Sequence, residues 1–102
     1  MNKIVVEKEK VVELIYSVVD EINQTRPDNL QIGKSLGTPL MGLQSVLDSL
    51  GLVSLVVGIE QRIGDDLNVA VTLADEKAMS QRSSPFRTIE ALADYVLSLV
   101  NV

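Results

Sequence analysis

The chain has 102 residues and a formal net charge of -5, and 46% of its residues are hydrophobic although only 3% are aromatic. That length suits a single domain, 1–102, with one core of Leu, Val and Ile, and the acidic balance argues against nucleic acid or an anionic membrane as partner. Cys and His are both absent, which removes disulfides, thiolate nucleophiles, zinc sites with N or S ligands and imidazole general bases together. The opening "MNKIVVEKEK" is too charged, and its apolar part too short, for a secretory signal. No apolar run approaches the roughly 18 residues of a membrane span, so a soluble cytoplasmic protein is expected.

The first predicted element is a helix over residues 7–24, "EKEKVVELIYSVVDEINQ". Val12, Ile15, Val19 and Ile22 share one face, with Glu13, Asp20, Glu21 and Asn23 mostly away from it. Arg26-Pro27-Asp28 ends it, because proline disfavours a helical residue before it. Residues 25–47, punctuated by Pro27, Gly33, Gly37, Pro39 and Gly42, are expected to form an ordered long loop. Leu30, Ile32, Leu36, Leu40, Leu43 and Leu47 would pin that loop to the core, with one helical turn near Pro39 to Leu43.

A second helix is predicted from about Asp48 to Gly64, with Leu52, Leu55, Val56, Ile59 and Ile63 on one face. Leu50, Val53 and Val57 form an apolar strip beside that face, and Gly51, Ser54, Gly58, Gln61 and Arg62 occupy the remainder. The apolar arc is wider than a surface helix needs, so the strip either packs into the core or serves a ligand or partner. Leu67, Val69, Val71 and Leu73 alternate as in a strand, but only Ile4-Val5-Val6 offers a partner. An extended connector is therefore expected, followed by a short helix around Ala74 to Met79. After Ser83-Ser84-Pro85, Thr88 is a predicted N-cap with Glu90 in the first turn of a last helix that buries Ile89, Leu92, Val96 and Leu99 or Val100. The fold class is all-α: a small four-helix bundle of three main helices and a short third one, with a long loop between the first two.

Asp48-Ser49 opens the most apolar stretch of the chain. Taken alone, the pair is a helix cap, Asp48 accepting from the N–H of Leu50 or Gly51. A helix start also presents unpaired N–H groups and the positive end of the dipole, so a serine placed there after a long loop suits a phosphodiester attachment. Other candidates are weaker. Ser54 is inside the helix and Ser45 lacks the adjacent acid. Asp65-Asp66 and Asp75-Glu76 have no calcium-loop spacing, and "GKSLG" at 33–37 is not a phosphate loop. The missing His and the missing Gly-x-Ser-x-Gly elbow argue against a serine hydrolase.

On "LDSLGLVSLVVGIE", on "TIEALADYV" and on the order of elements, the chain resembles the acyl carrier proteins over most of its length. The resemblance implies a non-enzymatic carrier. It would tether acyl intermediates as thioesters on a 4'-phosphopantetheine arm attached to Ser49 and added from coenzyme A by a magnesium-dependent transferase. Asp48 would help position that magnesium, and no resident metal is expected. The implied partners are a phosphopantetheinyl transferase, an acyl-loading enzyme or ligase, and a ketosynthase or acyltransferase, met by a monomeric carrier. Leu50, Gly51, Ser54, Val57, Gly58 and Gln61 would form the recognition surface, and Leu55 and Ile59 would line an acyl pocket. A peptidyl or aryl carrier, or an unmodified helical adaptor, are the alternative readings.

Two departures from the family pattern shape these expectations. Val46 stands three residues before the serine, where the family commonly has Gly, so the loop should meet the helix differently. The outward side of the second helix has Glu60 as its one acid, opposed by Arg62, which implies recognition by shape and apolar contact in a specialised pathway of fatty-acid, polyketide or other acyl metabolism.

Overall fold

In the computed structural model, the described residues are 5–73 and 85–101. They form three α-helices, α1 (Lys8–Asn23), α2 (Ser49–Asp66) and α3 (Ile89–Val100), and one 3-10 turn, Asp28–Leu30. The all-α expectation holds for these residues. The short helix expected at Ala74 to Met79 lies outside them, so three helices rather than four are counted. No helix among the described residues is long and apolar enough to cross a membrane.

Helix α1 is the shared packing partner. Among the described residues α2 and α3 each pack on α1 and not closely on one another. Contact from two sides widens the buried arc of α1 to Val11, Leu14, Ile15, Val18 and Val19. Val12 and Ile22, expected on the buried face with Ile15 and Val19, are therefore left half-buried at its edges. On α2 the five residues Leu52, Leu55, Val56, Ile59 and Ile63 are all buried, as the 3.6-residue period requires. On α3, Ile89, Leu92 and Val96 are buried together with Ala93, while Leu99 and Val100 are only partly covered. Connectors also contribute to the core: Leu40, Leu73 and Phe86 are each fully buried. Phe86 meets Tyr95 edge-to-face with ring centroids 6.0 Å apart, so an aromatic pair supplements the aliphatic core.

The long loop is ordered by hydrogen bonds rather than by helix. The Asn23 side chain accepts from the Ile32 N–H at 2.8 Å and donates to the Ile32 carbonyl at 2.9 Å, imitating a strand neighbour. Ile32, Leu40 and Leu47 are buried as expected, but Leu30 and Leu36 are exposed and Leu43 is wholly so, at 106%. The helical turn expected near Pro39 to Leu43 is absent. Pro39 is held in an antiparallel bridge with Thr88, and Gly42 has φ +89, outside helical space. The one helical turn of the loop is instead the 3-10 turn at Asp28–Leu30, closed by the Leu30 N–H on the Pro27 carbonyl.

After the C-cap Leu67 and the left-handed Asn68, residues 69–73 form a connector without helix or turn, in keeping with the expected connector. Leu67, Val69 and Val71 are half-buried and Leu73 buried, alternating with exposed neighbours, without a ladder partner among the described residues. Asn68, at φ 55, takes the left-handed conformation that ends α2, a role asparagine tolerates better than most residues. Val6 does not pair with this connector. Its N–H and carbonyl are both held by the Asn101 side chain, each at 2.9 Å.

Two glycines of α2 make opposite predictions. A Cβ at Gly58 would lie 2.9 Å from Val18 Cγ1 on α1, whereas one at Gly64 would meet nothing within 4 Å. Gly58→Leu should destabilise the fold by about 2 kcal/mol through overpacking against a stiff β-branched neighbour. Gly64→Ala should stabilise it by up to about 1 kcal/mol through helix propensity. Urea unfolding of both variants checks the pair; equal effects at the two positions would contradict the close helix contact.

Candidate functional site

The serine singled out by the sequence is the first residue of α2, and it is exposed. Asp48 is the N-cap: its backbone is extended, and its Oδ1 accepts from the Gly51 N–H at 2.7 Å. Of the two acceptor schemes considered for this cap, the one to Gly51 is realised. A Cβ at Gly51 would sit 3.1 Å from both Asp48 Oδ1 and Leu47 Cδ2, so glycine there lets Asp48 fold close over the helix start.

The approach to Ser49 is fixed from the other side of the loop. Arg26 donates from Nε to the Leu30 carbonyl at 2.6 Å and from a terminal guanidinium nitrogen to the Val46 carbonyl at 3.0 Å. The Leu47 N–H donates to Ser45 Oγ at 3.0 Å, and the Leu47 side chain is buried below. Val46 does not take a positive φ, so a β-branched residue is accommodated three positions before the serine without strain. In the sequence Arg26 stands only as part of a helix stop. Its role as a strap joins residues 20 positions apart, which no local pattern reveals.

The starts of α2 and α3, both reached by the long loop, differ in a way that bears on chemistry. At α3 the first N–H groups are all used: Ile89 donates to the Thr38 carbonyl at 3.1 Å, Glu90 to the Leu36 carbonyl at 2.9 Å, and Ala91 to Thr88 Oγ1 at 3.1 Å. At α2 only Gly51 is capped. The N–H groups of Ser49 and Leu50 have no protein acceptor among the described residues, and both residues face solvent. The loop thus closes one helix start and leaves the other free to meet an anion, where the dipole favours negative charge. A small pocket of about 120 Å³ adjoins Ser49, lined by Leu40, Met41, Gly42, Leu47, Asp48 and Leu52.

The expected recognition surface is divided by the structure. Leu50, Ser54 and Gln61 are exposed and Val57 is half-buried along one stripe of α2, and Val53 beside it is 37% exposed. The strip is therefore not core, Val53 included. Gly58 does not belong to the outward surface, because its Cβ direction meets Val18 on α1. Gly51 is half-buried against its own cap. Arg62 also turns inward, donating to Ser17 Oγ at 3.1 Å and pairing with Glu21, both on α1. Glu60 is half-buried and accepts from the Leu73 N–H, fastening the connector that follows α2. The outward stripe of α2 is thus even less charged than the sequence suggests. Leu55 and Ile59, expected to line an acyl pocket, are fully buried core residues at 0% exposure.

Removing the cap should cost stability without unfolding the chain: Asp48→Ala is expected to lose about 1 kcal/mol, and Asp48→Asn only a fraction of that. Denaturant midpoints distinguish these; equal losses for Ala and Asn would show that Asp48 does not act as a hydrogen-bonding cap. Comparison with protein-family models, with curated proteins and with solved structures gives no match to this chain.

Proposed function

We propose that this chain is an acyl carrier: a non-enzymatic protein that holds acyl groups on a 4'-phosphopantetheine arm joined to Ser49 Oγ. One observation carries the reading. Ser49 is exposed at a helix start whose first two N–H groups are left without a protein acceptor, while the corresponding groups of α3 are used internally. The residues fit a phosphodiester there. The Ser49 and Leu50 N–H groups would donate to its non-bridging oxygens, and the helix dipole would offset part of its charge. The arm would supply a thiol for thioester formation, a group that a chain without Cys does not otherwise have.

The protein's own contribution is positional. Asp48 holds Gly51 and so keeps the first turn of α2 wound beneath the hydroxyl. Its second carboxylate oxygen, which has no hydrogen-bond donor among the described residues, would help place the magnesium of a phosphopantetheinyl transferase. Arg26 fixes the loop that leads to the serine. An acyl chain would need the core around Leu55 and Ile59 to open, since both are covered at rest. The reading carries with it the four-helix bundle of the family, whose short third helix falls on residues outside those described, and a cytoplasmic, monomeric carrier.

The near-neutral stripe Leu50, Ser54, Val57 and Gln61 favours a specialised pathway, because steering by charge is weak along a face whose exposed carboxylates stand only at its two ends, Asp48 and Asp65-Asp66. Its partners, an acyl-loading enzyme or ligase and a ketosynthase or acyltransferase, would recognise this stripe by shape and apolar contact.

Incubation with coenzyme A, magnesium and a broad-specificity transferase should add one phosphopantetheine to the intact mass, and Ser49→Ala should abolish the addition. An unmodified wild-type chain, or a modified Ser49→Ala, would sink the reading. Ser54→Glu with Gln61→Glu should raise affinity for a typical fatty-acid synthase partner several-fold by restoring charge to the outward stripe. No gain in a binding titration would contradict the role given to that stripe.

A further inference from the structure

The outer side of α1 carries a feature separate from Ser49. A groove of about 610 Å³ is lined by Lys8, Glu9, Val12, Glu13 and Tyr16 of α1 and by Leu36 of the long loop. Its floor is apolar: Val12 and Tyr16 are half-buried, and Leu36 is 38% exposed. Its rim is acidic. Lys8 lies 3.1 Å from both a Glu90 and an Asp94 carboxylate oxygen, and its hydrogen bonds to Glu90 and then Asp94 raise its pKa above the ordinary lysine value. That one cation is thus committed to α3. Glu9 and Glu13 are exposed and have no ion-pair partner among the described residues.

The spacing of these groups matches a helical partner. Glu9 and Glu13 stand one turn apart on one face, about 6 Å along the helix axis, and Val12 and Tyr16 repeat at the same interval beside them. A facing helix with Lys or Arg at positions i and i+4 would pair with both carboxylates while its apolar side chains cover Val12, Tyr16 and Leu36. A small polyvalent cation would leave the apolar floor uncovered. Anionic lipid or nucleic acid would be repelled by the rim and by the net charge of -5.

We propose that this α1 groove docks a basic amphipathic helix of a protein partner. The charges set the register and the approach rate, and the Val12, Tyr16 and Leu36 floor supplies the contact area. This surface does not depend on modification of Ser49.

The chain supplies its own reporter. It has two tyrosines and no tryptophan, so Tyr95→Phe, which keeps the ring packed on Phe86, leaves Tyr16 as the sole tyrosine. The probe is an 18-residue amphipathic helical peptide without Tyr or Trp, carrying Leu on one face and flanking Lys at i and i+4. Its control has Glu in place of every Lys. Addition of the Lys peptide should change Tyr16 emission saturably, and the Glu peptide should leave it unchanged. Glu9→Lys with Glu13→Lys should weaken binding at least tenfold. Leu36→Lys should weaken it comparably, in a loop position that leaves the helix intact. Asp65→Lys with Asp66→Lys, an equal change of charge at the end of α2, should weaken it less than threefold. Equal losses in the two double variants would overturn the proposal in favour of diffuse attraction. Equal binding of the two peptides, displacement of the Lys peptide by equimolar spermine, or no response at Tyr16 would overturn it as well.

Discussion

Helix α1 buries Val11, Leu14, Ile15, Val18 and Val19 against two helices that do not pack closely on each other, and most other features follow from that arrangement. A helix covered from two sides needs a wide apolar arc. Leu40, Leu73 and Phe86 are buried in the same core from connectors, so the connectors become part of it. Close approach of α2 depends on Gly58, which presents no side chain to Val18, and Arg62 then reaches Ser17 and Glu21 across the same seam. The small residue and the ion pair are therefore two parts of one helix contact.

The loop before α2 does two opposite things with similar means. Its carbonyls at Leu36 and Thr38 satisfy the first N–H groups of α3, and Pro39 and Leu40 hold that junction through Thr88 and Arg87. A few residues later it stops donating acceptors, and α2 begins with only the Asp48 cap. Backbone groups at a helix start are satisfied by protein, solvent or ligand. Here the first fate falls to α3 and the others are open to α2, in a chain whose composition provides no catalytic thiol or imidazole.

Much of this was legible in the sequence where the determining forces are local. The five-residue face of α2 and the caps Asp48 and Thr88 depend on residues within one or two turns, and they stand where the pattern puts them. Non-local choices were not legible. Leu40 and Leu43 look alike in the sequence, yet one is buried and the other protrudes, because the bridge at Pro39 fixes where the loop turns outward. Gly51 and Gly58 fell together on the wheel, but only the position of α1 shows that Gly58 is a helix contact. The same applies to Arg26, Glu60 and Arg62, whose partners lie far along the chain. At the site, the exposed serine and its cap were readable, whereas the unequal treatment of the two helix starts required the loop's path.

The Asn101 amide, clasping the N–H and carbonyl of Val6, places the segment that leads into α1 beside the C-terminal end of α3. Val6 and Asn101, near the two limits of the described residues, therefore meet at one point on the fold. A short linker across that point would allow the chain to be opened elsewhere, for example at the protruding Leu43, with every buried contact retained in a new helix order. The same geometry suits the unit to insertion within a surface loop of another protein, joined near Val6 and Asn101, which stand side by side.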